Sequence, residues 1–232
     1  MFHYRWYFEE DANNASTILP LSDLATNMDD GTLKEVKKMI HDRQHGRLWV
    51  VGSNDTTAKL IDSSYRRFVK LMDDHLSVSR FLFGEKPSSA DFAIYGQLTQ
   101  LIGFDPTSRR IASENSLRLV SWVDVMADLS GHDVNNSNWT SLEDSPPSLK
   151  EIMKEFGQMY VPALLANAKA IMEGDETWET EIDGSTWKQK AFPYQAKCLK
   201  WINEEFQQLD NQSQQKVEQI FEGTNCMDIL NS

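Results

Sequence analysis

The chain has 232 residues, enough to bury a sizeable core as one domain or as one domain with an extension. Hydrophobic residues make up 40 % and charged residues 25 %, values of a globular and not a disordered chain. A formal net charge of −12, with no basic stripe to offset it, argues against a nucleic-acid partner and against an anionic membrane surface.

No apolar run approaches the length of a bilayer span, and Arg5, Glu9, Glu10 and Asp11 interrupt what would be the apolar core of a signal peptide. Cys198 and Cys226 have no metal-ligand spacing and are expected to be free thiols in a reducing, cytoplasmic setting. In that setting the Asn-x-Ser/Thr triplets at Asn14, Asn54, Asn138 and Asn211 carry no glycan.

In chain order, Met1 to Asp11 reads as a helix that opens without a cap residue and holds Phe2, Tyr4, Trp6, Tyr7 and Phe8. Aromatics on nearly every face need neighbours on more than one side, either from this chain's own core or from a further domain. Pro20 and a polar stretch then lead to a helix from Thr32-Leu33, with Leu33, Val36, Met39 and Ile40 apolar and Gly46 at its end. Asn54-Asp55-Thr56 caps a helix whose inward positions include Leu60, Ile61, Tyr65, Phe68, Val69, Met72 and Leu76. A helix follows from Ser88, in which Ser88 and Asp91 have the spacing of a capping box. Phe92, Ile94, Tyr95, Leu98, Leu101 and Ile102 cover so wide an arc that this helix is expected to be buried, and Gly103-Phe-Asp-Pro106 ends it. Glu114 to Leu129 is the next helix, and the Asn-, Ser- and Asp-rich residues 132–147 form a surface loop. Ser148 to Glu151 is a further capping-box match, opening a helix to about Met172 with a kink at Pro162. Residues 178–188 alternate about Asp183-Gly184, the dipeptide of a two-residue type I′ hairpin. Helices over Tyr194–Leu209 and Ser213–Phe221 complete an all-α chain with one small hairpin.

The stretch Phe81-Leu-Phe-Gly-Glu-Lys-Pro-Ser-Ser-Ala-Asp-Phe92, with its capping box, closely resembles the core helix of the C-terminal domain of the glutathione transferase superfamily. The resemblance is best over residues 1–130. It implies a helical bundle of that type over 1–131, a loop over 132–147, and a helical extension over 148–232 packed on the same domain. It also makes Ser88 and Asp91 folding elements and not catalytic residues. In that family a thioredoxin-like N-terminal domain binds glutathione and carries the thiol-activating residue. Nothing in this sequence resembles that domain, so Met1 is expected to fall inside the first long helix of a C-terminal domain.

The first helix and the capping-box helix of that family help line the site for the electrophilic substrate. By position this implies substrate contacts from Tyr4, Arg5, Tyr7, Phe8 and Tyr95, with a tyrosine hydroxyl donating to a substrate oxygen and Arg5 holding an anion. The residues by themselves also fit core or interface packing. The implied function is the substrate-binding half of a glutathione transferase-like protein, inactive by itself, with glutathione the cofactor only of a two-domain homologue. The implied partners are a small apolar ligand, a second copy of the chain or a thioredoxin-like domain. The alternative is a non-catalytic protein-interaction or assembly module.

Other constellations are weaker. His41 and His45 lie at i and i+4 as in zinc helices, but Asp42 stands where metalloproteases have Glu and no third ligand has a recognisable spacing, so no metal site is expected. Glu9, Glu10 and Asp11 read as a solvated face, and His75 as a cation at a helix C-terminus. Cys198 stands between Lys197 and Lys200, which would lower a thiol pKa, although a structural cysteine is the simpler reading; Cys226 is expected to be exposed. No Gly-rich phosphate loop, Gly-x-Ser-x-Gly or Cys-x-x-Cys is present, and no catalytic residue is assigned.

Overall fold

A computed structural model describes residues 1–131 and 139–230. The described chain is mostly helical, with one two-stranded antiparallel sheet. The part of the expected loop at 132–138 lies outside the described residues, as does Asn138.

The N-terminal aromatic segment is not one helix. α1 (Phe2–Tyr7) stops at Phe8, whose backbone is extended, and α2 (Glu9–Asp23) starts afresh. The cause is legible afterwards: Glu9, Glu10 and Asp11 occupy the first turn of α2, where acidic side chains favour a helix N-terminus. α2 also runs through Pro20, which lies in its last turn and removes only one donor there. α3 (Asp30–His45) begins two residues earlier than expected, because Asp29 and not Thr32 is the cap; its carboxylate accepts the Thr32 amide at 3.0 Å. No residue of α3 is fully buried, and Met39, one of its apolar positions, is exposed.

After a 3-10 turn (Leu48–Val51), α4 (Asp55–Leu76) forms the spine of the main core. Asn54 caps it in a capping box with Thr57. Tyr65, Val69 and Met72 project from α4 into a cluster with Tyr4, Phe81, Leu98, Leu119, Trp122, Leu149 and Ile152. Full burial of each such side chain stabilises by about 1.5–3 kcal/mol before chain entropy is counted.

α5 (Ser89–Leu101) carries the capping box as expected: the Ser88 amide donates to Asp91 at 2.8 Å and Ser88 Oγ accepts the Asp91 amide at 3.4 Å. Asp91 also accepts the Leu82 amide at 2.9 Å, so this fully buried carboxylate ties the preceding loop to the helix. The helix is not buried all round, however. Only Asp91, Leu98 and Leu101 are fully buried and Phe92 is half exposed, because α6 and α7 cover one side alone.

α6 (Pro106–Asn115) begins at the proline expected to end the preceding helix. Proline at the first helical position is a start signal, since its missing N–H would lie unpaired there anyway. α7 (Leu117–Ala127) follows, capped by Ser116 Oγ accepting the Leu119 amide at 3.0 Å. The helix expected to run from Glu114 is thus cut at Ser116.

The expected helix through Met172 is two, α8 (Pro147–Met159) and α9 (Val161–Glu173), interrupted at Tyr160 ahead of Pro162. The Ser148–Glu151 capping box does not form: α8 starts at Pro147, Ser148 Oγ bonds His75 and Glu151 pairs with Lys154. The hairpin is as expected, β1 (Thr177–Ile182) and β2 (Ser185–Lys190), with positive φ at both Asp183 and Gly184, as a type I′ turn requires. β1 lies on α9, while β2 returns to the 3-10 turn and α4, so the extension packs on the bundle. α10 (Pro193–Gln208), α11 (Asn211–Phe221) and α12 (Met227–Leu230) close a second cluster of Val161, Leu164, Leu199, Cys226 and Ile229. No helix of the described residues is long and apolar enough to cross a membrane.

Candidate ligand cleft

Where α1, α4, α8 and β2 meet, five aromatic rings (Tyr4, Tyr65, Phe68, Phe156 and Trp187) wall an open cleft of about 320 Å³. That volume lies at the lower end of small-molecule sites. Tyr4 and Tyr65 meet edge to face at 5.1 Å between ring centroids. Both phenols are committed: Tyr4 donates to Asp62 at 3.0 Å, and Tyr65 to the Ser108 carbonyl at 3.2 Å. Burial, reinforced for Tyr4 by Asp62, raises both phenol pKa values above the ordinary tyrosine range, so neither ionises near neutrality.

The polar edge of the cleft is Ser64 and Glu155. Glu155 is buried and takes a forked ion pair from Arg67, Nε to Oε2 at 2.8 Å and Nη2 to Oε1 at 3.0 Å, plus the Ser64 hydroxyl at 2.9 Å. The same Arg67 Nη2 reaches Asp183 in the hairpin turn at 3.0 Å, and Gln158 donates to the other oxygen of Asp183. One guanidinium therefore ties α4 to α8 and to the hairpin that carries Trp187.

Of the residues drawn from the sequence as substrate contacts, only Tyr4 lines this cleft. Arg5 is buried, with Nε and Nη2 bonded to Asp105 at 2.8 and 3.1 Å and Nη2 also to Gln100 at 2.8 Å, which holds the guanidinium in a structural ion pair. Burial pushes the Asp105 carboxyl above the usual carboxylate range against the pull of Arg5. Tyr7 donates to Asp55 at 2.9 Å. Phe8 stacks on Tyr4 at 5.6 Å between ring centroids, and Tyr95 packs half-buried against the main core. Tyr65 and Trp187 were missed as cleft residues. Tyr65 reads as core on helical period, and Trp187 as one of several hairpin residues.

Three further readings need correction. Asp11 is fully buried and not part of a solvated face: it accepts the Thr107 amide at 3.0 Å and the Thr107 hydroxyl, capping α6 from 96 residues away. His75 is fully buried, with Nδ1 at 2.9 Å from Ser148 Oγ and Nε2 at 3.1 Å from the Phe81 carbonyl; burial lowers its pKa, so it is a neutral link and not a helix-end cation. Cys226 is buried, its thiol donating to the Met153 carbonyl at 3.3 Å, and burial raises its pKa. Cys198 is partly exposed. His41 and His45 stack at 5.9 Å, but His45 Nδ1 sits 3.1 Å from the Trp6 carbonyl, and among the described residues no group of three or more His, Cys, Asp and Glu is placed to hold a metal ion.

No family model, no curated protein and no solved structure matches the chain.

Proposed function

We propose that the chain is the ligand-binding helical unit of a glutathione transferase-like protein, taking an apolar small molecule in the Tyr4–Tyr65–Trp187 cleft. The observation that carries this reading is the cleft itself, an open, ring-walled space bordered by one buried carboxylate and one hydroxyl. The Ser88–Asp91 box within Phe81–Phe92 supports a bundle of the glutathione transferase C-terminal type, with residues 148–232 as its extension. Neither cleft tyrosine is ready to activate a thiol, so the 232-residue chain binds but does not conjugate. A thioredoxin-like domain would supply glutathione and its activating group.

Titration of an uncharged naphthalene-sized ligand into the chain tests the reading. Saturable binding is expected, weakened about tenfold by Trp187→Ala, with no heat from glutathione and no conjugation. Absence of ligand binding, or saturable glutathione binding, would sink it. A second reading, an assembly module, is favoured by the exposed apolar side chains of α7, Leu117 at 70 % and Val125 at 43 %, beside Leu76 and Trp122. Self-association that Leu117→Glu abolishes would support it.

A further inference from the structure

We infer that the exposed face of α7 docks an amphipathic helix of a partner protein, one whose apolar stripe is edged by aspartate or glutamate. This rests on the assembly reading of α7 and names the partner's chemistry.

The shape follows from spacing on α7. Leu117, Ser121 and Val125 stand four residues apart, so they form one row along the helix, and all three are exposed. Between the two apolar side chains the small Ser121 leaves a dip that seats a side chain of a second helix, ridge into groove. Leu76 at the end of α4, Arg80 beyond it, Arg118 and Trp122 complete an open groove of about 450 Å³. From Leu117 to Val125 the row covers about 12 Å at 1.5 Å per residue, roughly two turns of a docked helix. A helical face of this kind offers no sheet edge to an extended chain and takes a helix laid in its groove.

The sign of the partner's charge follows from the groove's own side chains. No aspartate or glutamate lines it. Arg80 lies over the Phe81 ring at 5.5 Å and has no ion pair or hydrogen bond among the described residues. Arg118 uses Nη1 on Asp73 Oδ2 at 3.1 Å, and the other Asp73 oxygen accepts the Ser116 hydroxyl. Asp74 is paired with Lys70. Two guanidiniums thus stand against the single carboxylate of Asp73. Leu117 and Arg118 open α7, and their amide hydrogens, without partners inside the helix, add to the positive potential at that end. The facing end of α4 does not offset it, because Ser77, Val78 and Ser79 take up the Asp73, Asp74 and His75 carbonyls. The whole chain carries −12, but at physiological salt charges beyond about 8 Å are screened, so the groove's guanidiniums decide which edge fits. A carboxylate edge pairs with Arg80 and shares Arg118 with Asp73, whereas a lysine edge meets like charge.

Fluorescence anisotropy of two labelled helical peptides, titrated with the full chain at physiological salt, tests the inference. Both peptides carry a leucine stripe at alternating spacings of three and four residues; glutamates flank it in one and lysines in the other. A chain this acidic attracts the lysine peptide non-specifically, so a preference for the glutamate peptide isolates the groove. We expect the glutamate peptide to bind at least about tenfold tighter, Leu117→Glu to remove that binding, and Arg80→Glu to abolish or invert the preference. Both altered residues are exposed, so neither change disturbs the core. Tighter binding of the lysine peptide, a preference unchanged in Arg80→Glu, or binding lost in Trp187→Ala but kept in Leu117→Glu overturns the inference. Binding of neither peptide overturns it too, and sedimentation of the chain alone then separates the two readings. Self-association lost in Leu117→Glu would give the face to a second copy and keep the assembly reading, while a monomer would remove that reading as well.

Discussion

His3 sits beside the break between α1 and α2, 4 % exposed, with Nδ1 at 2.7 Å from Ser53 Oγ and Nε2 without a hydrogen-bond partner. Burial, helped by the nearby N-terminal amine, lowers its pKa from 6.5 to about 4. The unfolded chain therefore binds this proton more readily than the folded chain between those values. Its contribution is complete above pH 6.5 and is lost as the pH falls toward 4. The loss amounts to roughly 2–4 kcal/mol, and the lowered pKa of His75 acts in the same direction. Urea-unfolding free energies measured from pH 7 to pH 4 should fall less steeply for His3→Gln than for the unchanged chain. Parallel curves would mean that His3 is not held neutral.

At the scale of elements, the docking of the hairpin on the bundle turns on Gly52. Its φ is +71°, and a Cβ there would clash with Trp187 Nε1. Gly184 in the hairpin turn has nearly the same φ, +74°, but open space around it. Both Gly→Ala variants carry the left-handed backbone cost of about 1 kcal/mol, whereas only Gly52→Ala must also displace the indole that walls the cleft. Gly52→Ala should therefore be the more destabilising by about 1–2 kcal/mol in chemical denaturation, and should weaken ligand binding, while Gly184→Ala leaves binding unchanged. Equal costs with unchanged binding would show that Trp187 gives way freely. The same contrast explains what was legible in the sequence. The Ser88–Asp91 box, the Asn54 cap and the Asp183-Gly184 turn join residues at most three apart, so their chemistry is written locally. Asp11 with Thr107, Arg5 with Asp105, and His75 with Ser148 join residues 96, 100 and 73 positions apart, and no local pattern names such partners. Those long-range bonds make structural links of Asp11, Arg5 and Ser148, while Glu9 and Glu10 stay on the solvated face. Of the cleft lining only Tyr4 was named from the sequence, by the place in the first helix that the family resemblance implies, and Trp187 was not.

At the scale of the whole molecule, burial is uneven. The main core is built on α4, while α10 buries only Leu199 fully and α11 buries no residue fully. The C-terminal helices are tied to the rest through Met153 and Phe156 of α8, which pack against both clusters, through Ile220 of α11 on the main core, and through the close approach of Gly157 to the Thr224 carbonyl. So small an apolar contact predicts opening of the C-terminal helices without unfolding of α4. Cys226 reports that opening, because its buried thiol must leave Met153 to react. In a Cys198→Ser chain, Leu199→Ala should speed labelling of Cys226 at least tenfold, consistent with the loss of about 2–5 kcal/mol expected for truncating a buried leucine. Leu98→Ala, an equal truncation in the main core, should leave the labelling rate unchanged while lowering global stability by a similar amount. Acceleration by both variants would mean that Cys226 is exposed only when the whole chain unfolds, and that the bundle and its extension form one cooperative unit.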